Sequence, residues 1–124
     1  MVGGQSRGSH VLLDYRNYSS TEDNDGRWML HLIRECVRES GIREVHSHVE
    51  IFDGGLSPPG FAAVVLIDES HVTAHCYSEI GLLAIDVFTC GDHDPDGVAE
   101  LIHERLISED ASIVLDKRQR VDRF

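Results

Sequence analysis

Apolar residues recur along the chain at two different spacings. Met29, Leu32, Ile33, Cys36 and Val37 follow the three-, four-, seven- and eight-residue offsets of one buried helical face. They predict a helix from Asp25 to Ser40, preceded by the acidic stretch Thr21-Glu22-Asp23-Asn24-Asp25 and stopped at Gly41. Val98, Leu101, Ile102 and Leu106 repeat that period behind Pro95, which opens a second helix. The remaining runs have strand length: His10–Asp14, Glu44–Phe52, Phe61–Ile67, Gly81–Phe88 and a short Ala111–Leu115. The continuous apolar runs FAAVVLI and GLLAIDVF read as central strands. Turns are expected at Asp53-Gly54-Gly55 and Ser57-Pro58-Pro59-Gly60. Residues 1–8, Gly-rich and polar, are expected to fray. Residues 68–79 are too polar for a core. If Ser70–Cys76 is extended, Ser70, Val72, Ala74 and Cys76 share one face and His71, Thr73 and His75 the other. Strand, helix, three or four strands, helix, strand is the order of an α+β fold. It predicts a single domain over 1–124, a two-layer sandwich of a mostly antiparallel sheet with helices on one face.

Charge narrows the partners. Eleven Lys and Arg against 22 Asp and Glu give a net charge of −11, the wrong sign for neutralising nucleic-acid phosphates or anionic lipid. No apolar run approaches the ~20 residues that span a bilayer, and MVGGQSRGSH has no secretory apolar stretch, so a cytoplasmic protein is expected. Ten of the eleven basic residues are Arg. The one lysine, Lys117, lies in the polar run Asp116-Lys117-Arg118-Gln119-Arg120, where a solvated charge is expected rather than the desolvated amine that holds pyridoxal phosphate.

Side chains able to do chemistry gather late in the chain: Glu69, Ser70, His71, His75, Cys76, Glu79, Cys90, Asp92 and His93. Three cysteines, Cys36, Cys76 and Cys90, are too few for a disulfide framework and leave at least one thiol free. Cys36 falls on the apolar helical face, where an inert thiol is expected. A metal site would have to recruit His71, His75, Cys90 and His93, without C-x-x-C or H-E-x-x-H spacing, so none is expected. A Cys–His nucleophile would pair Cys90 with His75 across neighbouring strands.

Glu69-Ser70-His71, then His75 and Glu79, then Ala84-Ile85-Asp86-Val87-Phe88-Thr89-Cys90-Gly91, resembles the core signature of the small prokaryotic S-adenosylmethionine decarboxylases. That pattern is an apolar strand, E-S-H, a strand carrying H-x-x-x-E, then A-x-D-V-F-T-C-G and a helix. The match in order and spacing runs from about Phe61 to Leu106, and Gly8-Ser9-His10 with the following LLD resembles the family's first strand.

Decarboxylating an α-amino acid leaves a carbanion that needs an electron sink. The resemblance implies that the chain makes its own: the serine of E-S-H attacks the preceding peptide carbonyl, the ester eliminates, and Ser70 becomes a pyruvoyl group. Cleavage between Glu69 and Ser70 gives a 69-residue β chain and a 55-residue α chain from the 124 residues. A strained backbone at Glu69-Ser70 is expected. The resemblance further makes His75 the processing histidine, Cys90 the proton donor to the decarboxylated carbon, and Glu79 the acceptor for the substrate's ribose hydroxyls. It also implies a homodimer whose sites form where two protomers meet.

The chain departs from the family in places. His75-Cys76-Tyr77-Ser78-Glu79 stands where H-T-W-P-E is usual, Ala62 stands where a serine supports processing, and Leu56 stands where an aromatic ring stacks on adenine. Loss of that stacking weakens nucleoside binding by roughly 1 to 3 kcal/mol. Tyr77, Phe52 and Phe61 are the rings available to replace it. The alternatives are the same chemistry on ornithine or arginine, and an unprocessed relative that binds or regulates a true decarboxylase.

Overall fold

The computed structural model describes residues 7–20 and 22–124. Nine elements follow in order: β1 (Gly8–Arg16), α1 (Asp25–Glu39), β2 (Glu44–Phe52), β3 (Gly60–Ile67), β4 (Ser70–Tyr77), a 3-10 turn (Ser78–Ile80), β5 (Leu82–Cys90), α2 (Pro95–Glu109) and β6 (Val114–Arg123). The strands form one antiparallel sheet in the order β2-β3-β4-β5-β1-β6.

Each helix begins and ends for a local reason. The Asn24 side chain accepts the Arg27 backbone N–H at 3.1 Å, and Asp94 caps α2 in the same way through Asp96, with Pro95 just inside the first turn. Gly41 ends α1 at a φ of +75°, where its N–H reaches the Arg38 carbonyl. Both helices lie on one face of the sheet, α1 against β2 and β3, α2 against β1 and β5. Met29, Ile33, Cys36 and Val37 of α1 and Val98, Ala99 and Ile102 of α2 are buried against Val11, Leu13, Val65, Val72, Ile85 and Val87. Burial drives this layer, at about 25 cal/mol per Å² of apolar surface removed from water. It also pushes the Cys36 and Cys76 thiols up to about 11, so neither is a thiolate at neutral pH.

The two-layer α+β arrangement expected from the sequence is the one found, with three boundaries corrected. The polar segment after Asp68 is a strand, β4, because every second residue of it is buried. The last strand runs over Val114–Arg123 rather than Ala111–Leu115. Its charged residues are exposed at the sheet edge, and Arg118 and Arg120 form ion pairs with Asp96 and Glu100 of α2. Lys117 is exposed there, opposite Asp14. Gly8, expected to fray, is a buried strand residue, because a Cβ would meet the Phe88 ring at 2.9 Å and the Cys90 sulfur at 3.1 Å. Residues 1–6 lie outside the described residues.

The second face of the sheet carries no helix. Leu66, Leu82 and Val121 stand on it with 41 to 42% of their surface exposed, beside the half-buried Leu12, Val64 and Phe88. Interior strands that read as apolar on both sides therefore have one side uncovered, a feature of surfaces that meet a partner.

Candidate active site

The β3–β4 hairpin turns in two residues, Asp68 and Glu69, with Ile67 paired to Ser70. Glu69 sits at a φ of +59°, a left-handed conformation costly to any residue with a Cβ. The turn is pinned from outside. Arg43 donates to both carboxylate oxygens of Asp68, at 2.6 to 3.2 Å, and its carbonyl accepts the Asp68 N–H at 3.1 Å. Those guanidinium hydrogen bonds hold the Asp68 carboxyl below the usual carboxylate range. Backbone strain at the Glu69–Ser70 junction, expected from the sequence, is present.

Ser70 follows on the helix-covered side of β4, 8% exposed, and its hydroxyl has no hydrogen-bond partner among the described residues. A buried hydroxyl left unpaired costs roughly 1 to 3 kcal/mol. The junction thus combines a strained peptide with a buried hydroxyl that is unengaged among the described residues. Glu69→Gly removes the left-handed penalty; if strain drives cleavage, timed mass spectrometry will show it slowed roughly 5- to 30-fold.

Cys90 closes β5 at the same end of the sheet, half-buried on the open face, with its sulfur packed over Gly8. His71, next to Ser70, also lies on the open face, where β4 and β5 pair it with Phe88. Its Nε2 hydrogen-bonds Asp86 Oδ2 at 3.1 Å, and His10 Nδ1 hydrogen-bonds Asp86 Oδ1 at 2.8 Å.

The other candidates lie at the far end of the sheet. His75 is five residues along β4 from Ser70, roughly 16 Å away. It sits between Ala62 and Ala84 and makes no side-chain hydrogen bond among the described residues. A pocket of about 300 Å³ adjoins it, lined by Asp14, Tyr77, Leu82 and Asp116. Glu79 lies exposed in the 3-10 turn and lines a second pocket of about 370 Å³ with Tyr18, Ser20 and Asp25. Tyr77 is half-exposed, and Leu56 projects fully from the loop before β3.

One candidate pairing and one candidate ligand set are not assembled within one chain. Cys90 cannot pair with His75, because His75 lies opposite Ala84, six residues or roughly 20 Å from Cys90 along β5. For the same reason His71, His75, Cys90 and His93 do not gather as metal ligands; the one such grouping among the described residues is His10, His71 and Asp86. Phe61 is 1% exposed in the core and cannot stack on a ligand. Phe52 can, since Phe52, Gly60 and Tyr77 occupy one cross-strand row. Gly60 puts no side chain between them in that row, and a Cβ there would lie 1.9 Å from the Cys76 carbonyl oxygen.

Sequence reasoning passed over His10, Asp86 and Arg43. The available signal was polar residues interrupting apolar strands: His10 opens HVLL, and Asp86 splits LLAI from VF.

A family model described as S-adenosylmethionine decarboxylase matches residues 9–119. A Clostridium tetani S-adenosylmethionine decarboxylase proenzyme is 32% identical over 114 residues, 90% of this chain and 86% of that protein. A Bacillus cereus S-adenosylmethionine decarboxylase proenzyme is 36% identical over 102 residues, 80% and 74% of the two chains. Among solved structures, the adenosylmethionine decarboxylase of Aquifex aeolicus superposes with a TM-score of 0.69 at 27% identity, covering 96% of this chain and 92% of that one.

Proposed function

The chain belongs to the S-adenosylmethionine decarboxylase family, and from that premise we propose that it is a self-processing decarboxylase of S-adenosylmethionine, making the aminopropyl donor for spermidine synthesis. The observation that carries this reading is the Glu69–Ser70 junction, a left-handed residue joined to a buried serine whose hydroxyl is unpaired among the described residues. A hydroxyl with no hydrogen bond to break, beside a carbonyl held in a strained turn, is poised for attack on the Glu69 carbonyl carbon. The residues present therefore fit a pyruvoyl group made from Ser70. Such a group supplies the electron sink for the carbanion left when carbon dioxide departs.

The other residues take their roles from position. Cys90, at the same end of the sheet, delivers the proton that replaces the carboxylate. His75, whose side chain makes no hydrogen bond among the described residues, moves the proton during processing, and Glu79 accepts from the ribose diol. Phe52 and Tyr77 flank Gly60 at the same end as Glu79, with strand spacing putting them roughly 9 to 10 Å apart. An adenine between those rings replaces the stacking that Leu56 lacks.

His75 and Glu79 stand too far from Ser70 to act on it within one chain. A second copy resolves this. Two open faces stacked about a two-fold axis bring the His75 end of one protomer over the Ser70 end of its partner and cover Leu66, Leu82 and Phe88. A homodimer with shared sites is our reading of that split, and a cytoplasmic setting agrees with the acidic, Arg-rich surface.

Carbon dioxide release from S-adenosylmethionine, ornithine and arginine by fully cleaved protein tests the substrate. Release from S-adenosylmethionine alone is expected. Release of putrescine or agmatine without turnover of S-adenosylmethionine would transfer the reading to a small cationic amino acid. Tyr77→Ala and Glu79→Gln are each expected to raise KM about 10-fold while kcat changes less than about 3-fold, as for loss of one ring face or one diol acceptor. A fall in kcat at constant KM would remove these residues from the binding site.

A further inference from the structure

On the open face one carboxylate holds two imidazoles from two other strands. Asp86 of β5 accepts from His10 of β1 at 2.8 Å through one oxygen and meets His71 of β4 at 3.1 Å through the other. The Phe88 ring stacks on His10 with 4.3 Å between centroids and an 18° tilt, and its centroid lies 5.4 Å from that of His71. Arg123 Nη1 lies 3.1 Å from His10 Nε2. A guanidinium only donates, so that nitrogen carries its lone pair and the proton sits on Nδ1, directed at Asp86. Burial pushes the Asp86 carboxyl up, but the hydrogen bonds from His71 and His10 outweigh it and leave it below the usual carboxylate range. Asp86 is thus an ionised acceptor with both oxygens in use, and His71 gives it the Nε2 proton.

Ligand atoms of the same three residues lie within 4.8 Å of one another. Arg123 is the wrong neighbour for a metal site, because a metal-bound imidazole donates its other N–H to an acceptor and a guanidinium accepts nothing. The cluster is better placed for the junction beside it. His71 is bonded through its backbone nitrogen to the carbonyl carbon of Ser70, so a fixed His71 side chain fixes that amide.

We propose that Asp86 and His10 are positioning residues, which through the His71 side chain hold the Ser70–His71 amide in the orientation required for self-cleavage and for the decarboxylation that follows. The inference rests on reading Ser70 as the processing residue. It assigns no proton transfer to His71; what matters is a donor at the place of His71 Nε2 and another at the place of His10 Nδ1.

The test uses amide side chains that imitate one imidazole nitrogen each. The Gln amide reaches the place of Nε2 and the Asn amide the place of Nδ1. First-order self-cleavage of the full chain is followed by denaturing mass spectrometry, with unfolding midpoints measured in parallel. Wild-type cleavage, measured first, separates a failure of this inference from a failure of the processing assignment. His71→Gln and His10→Asn are expected to stay within about 3-fold of wild type. His71→Asn, His10→Gln and Asp86→Asn are expected to slow cleavage at least about tenfold, as for loss of a charge-assisted hydrogen bond. In cleaved protein the slow variants should lose kcat at unchanged KM. Equal rates among the four histidine variants, or rates that simply follow the unfolding midpoints, would overturn the proposal. Failure of His71→Gln alongside His71→Asn would overturn it too, by making His71 an acid–base group.

Discussion

Ser70→Ala is expected to remain a single 124-residue chain through any incubation that converts the wild type into 69- and 55-residue pieces, and its decarboxylation to stay at background. Denaturing mass spectrometry reads the first outcome; the α chain should carry a blocked amino terminus. Stability should move the other way. The Ser70 hydroxyl is buried and has no partner among the described residues, so its deletion breaks no hydrogen bond and removes an uncompensated desolvation cost. The unfolding midpoint of Ser70→Ala should therefore equal or exceed that of uncleaved wild type. Cleavage at the normal position in Ser70→Ala would end the processing assignment. A large fall in stability would show that the hydroxyl has a native partner after all.

The second large effect is a restoration. Ser70→Ala and His75→Ala are each expected to be uncleaved when made alone. Co-expressed and co-purified, they should yield cleavage of the His75→Ala chain only, because its Ser70 is served by the intact His75 of the other subunit. The reason is metric: roughly 16 Å of strand separates the two residues within one chain, beyond the reach of any hydrogen bond. The recovered rate should approach half that of the wild-type dimer, since only one of two junctions is competent. No cleavage in a mixture shown to contain heterodimer would place both residues in one protomer's site, and cleavage of His75→Ala on its own would place His75 in none.

How far the sequence disclosed this molecule depended on which physical signal each segment carried. The bounds of β2 and the buried face of α1 were legible because turns and apolar periodicity delimit them. The faces of β4 were legible as an alternation once it is taken as extended, but His71, Thr73 and His75 on the open side made the segment read as too polar for a core that Val72, Ala74 and Cys76 in fact join. β6 was shortened because an edge strand buries little, and its charges serve ion pairs to α2 rather than a core. The proposed Cys90–His75 pair ignored register: the short link through Ser78–Gly81 sets Tyr77 opposite Leu82, and that fixes His75 opposite Ala84. His10 and Asp86 lie 76 residues apart and meet only because β1 inserts beside β5. Local pattern cannot announce such a contact.

That insertion has a further consequence. A cut between Glu69 and Ser70 puts β1, α1, β2 and β3 on one fragment and β4, β5, α2 and β6 on the other. β1 then lies between β5 and β6, with a strand of the other fragment on each flank, while β3 still pairs with β4. The fragments are interlaced rather than laid side by side, so neither can drift away without tearing open the sheet. What the cut changes is the order of the unfolding reaction: one molecule goes in and two come out. Apart from dimer assembly, which both forms share, intact chain should regain the protomer fold after dilution from denaturant at a rate independent of concentration. The nicked protein must first find its other half, and its denaturation midpoint should rise with protein concentration. Maturation by such a cut is in this sense a ratchet, holding while the fold holds and hard to reset once it is lost.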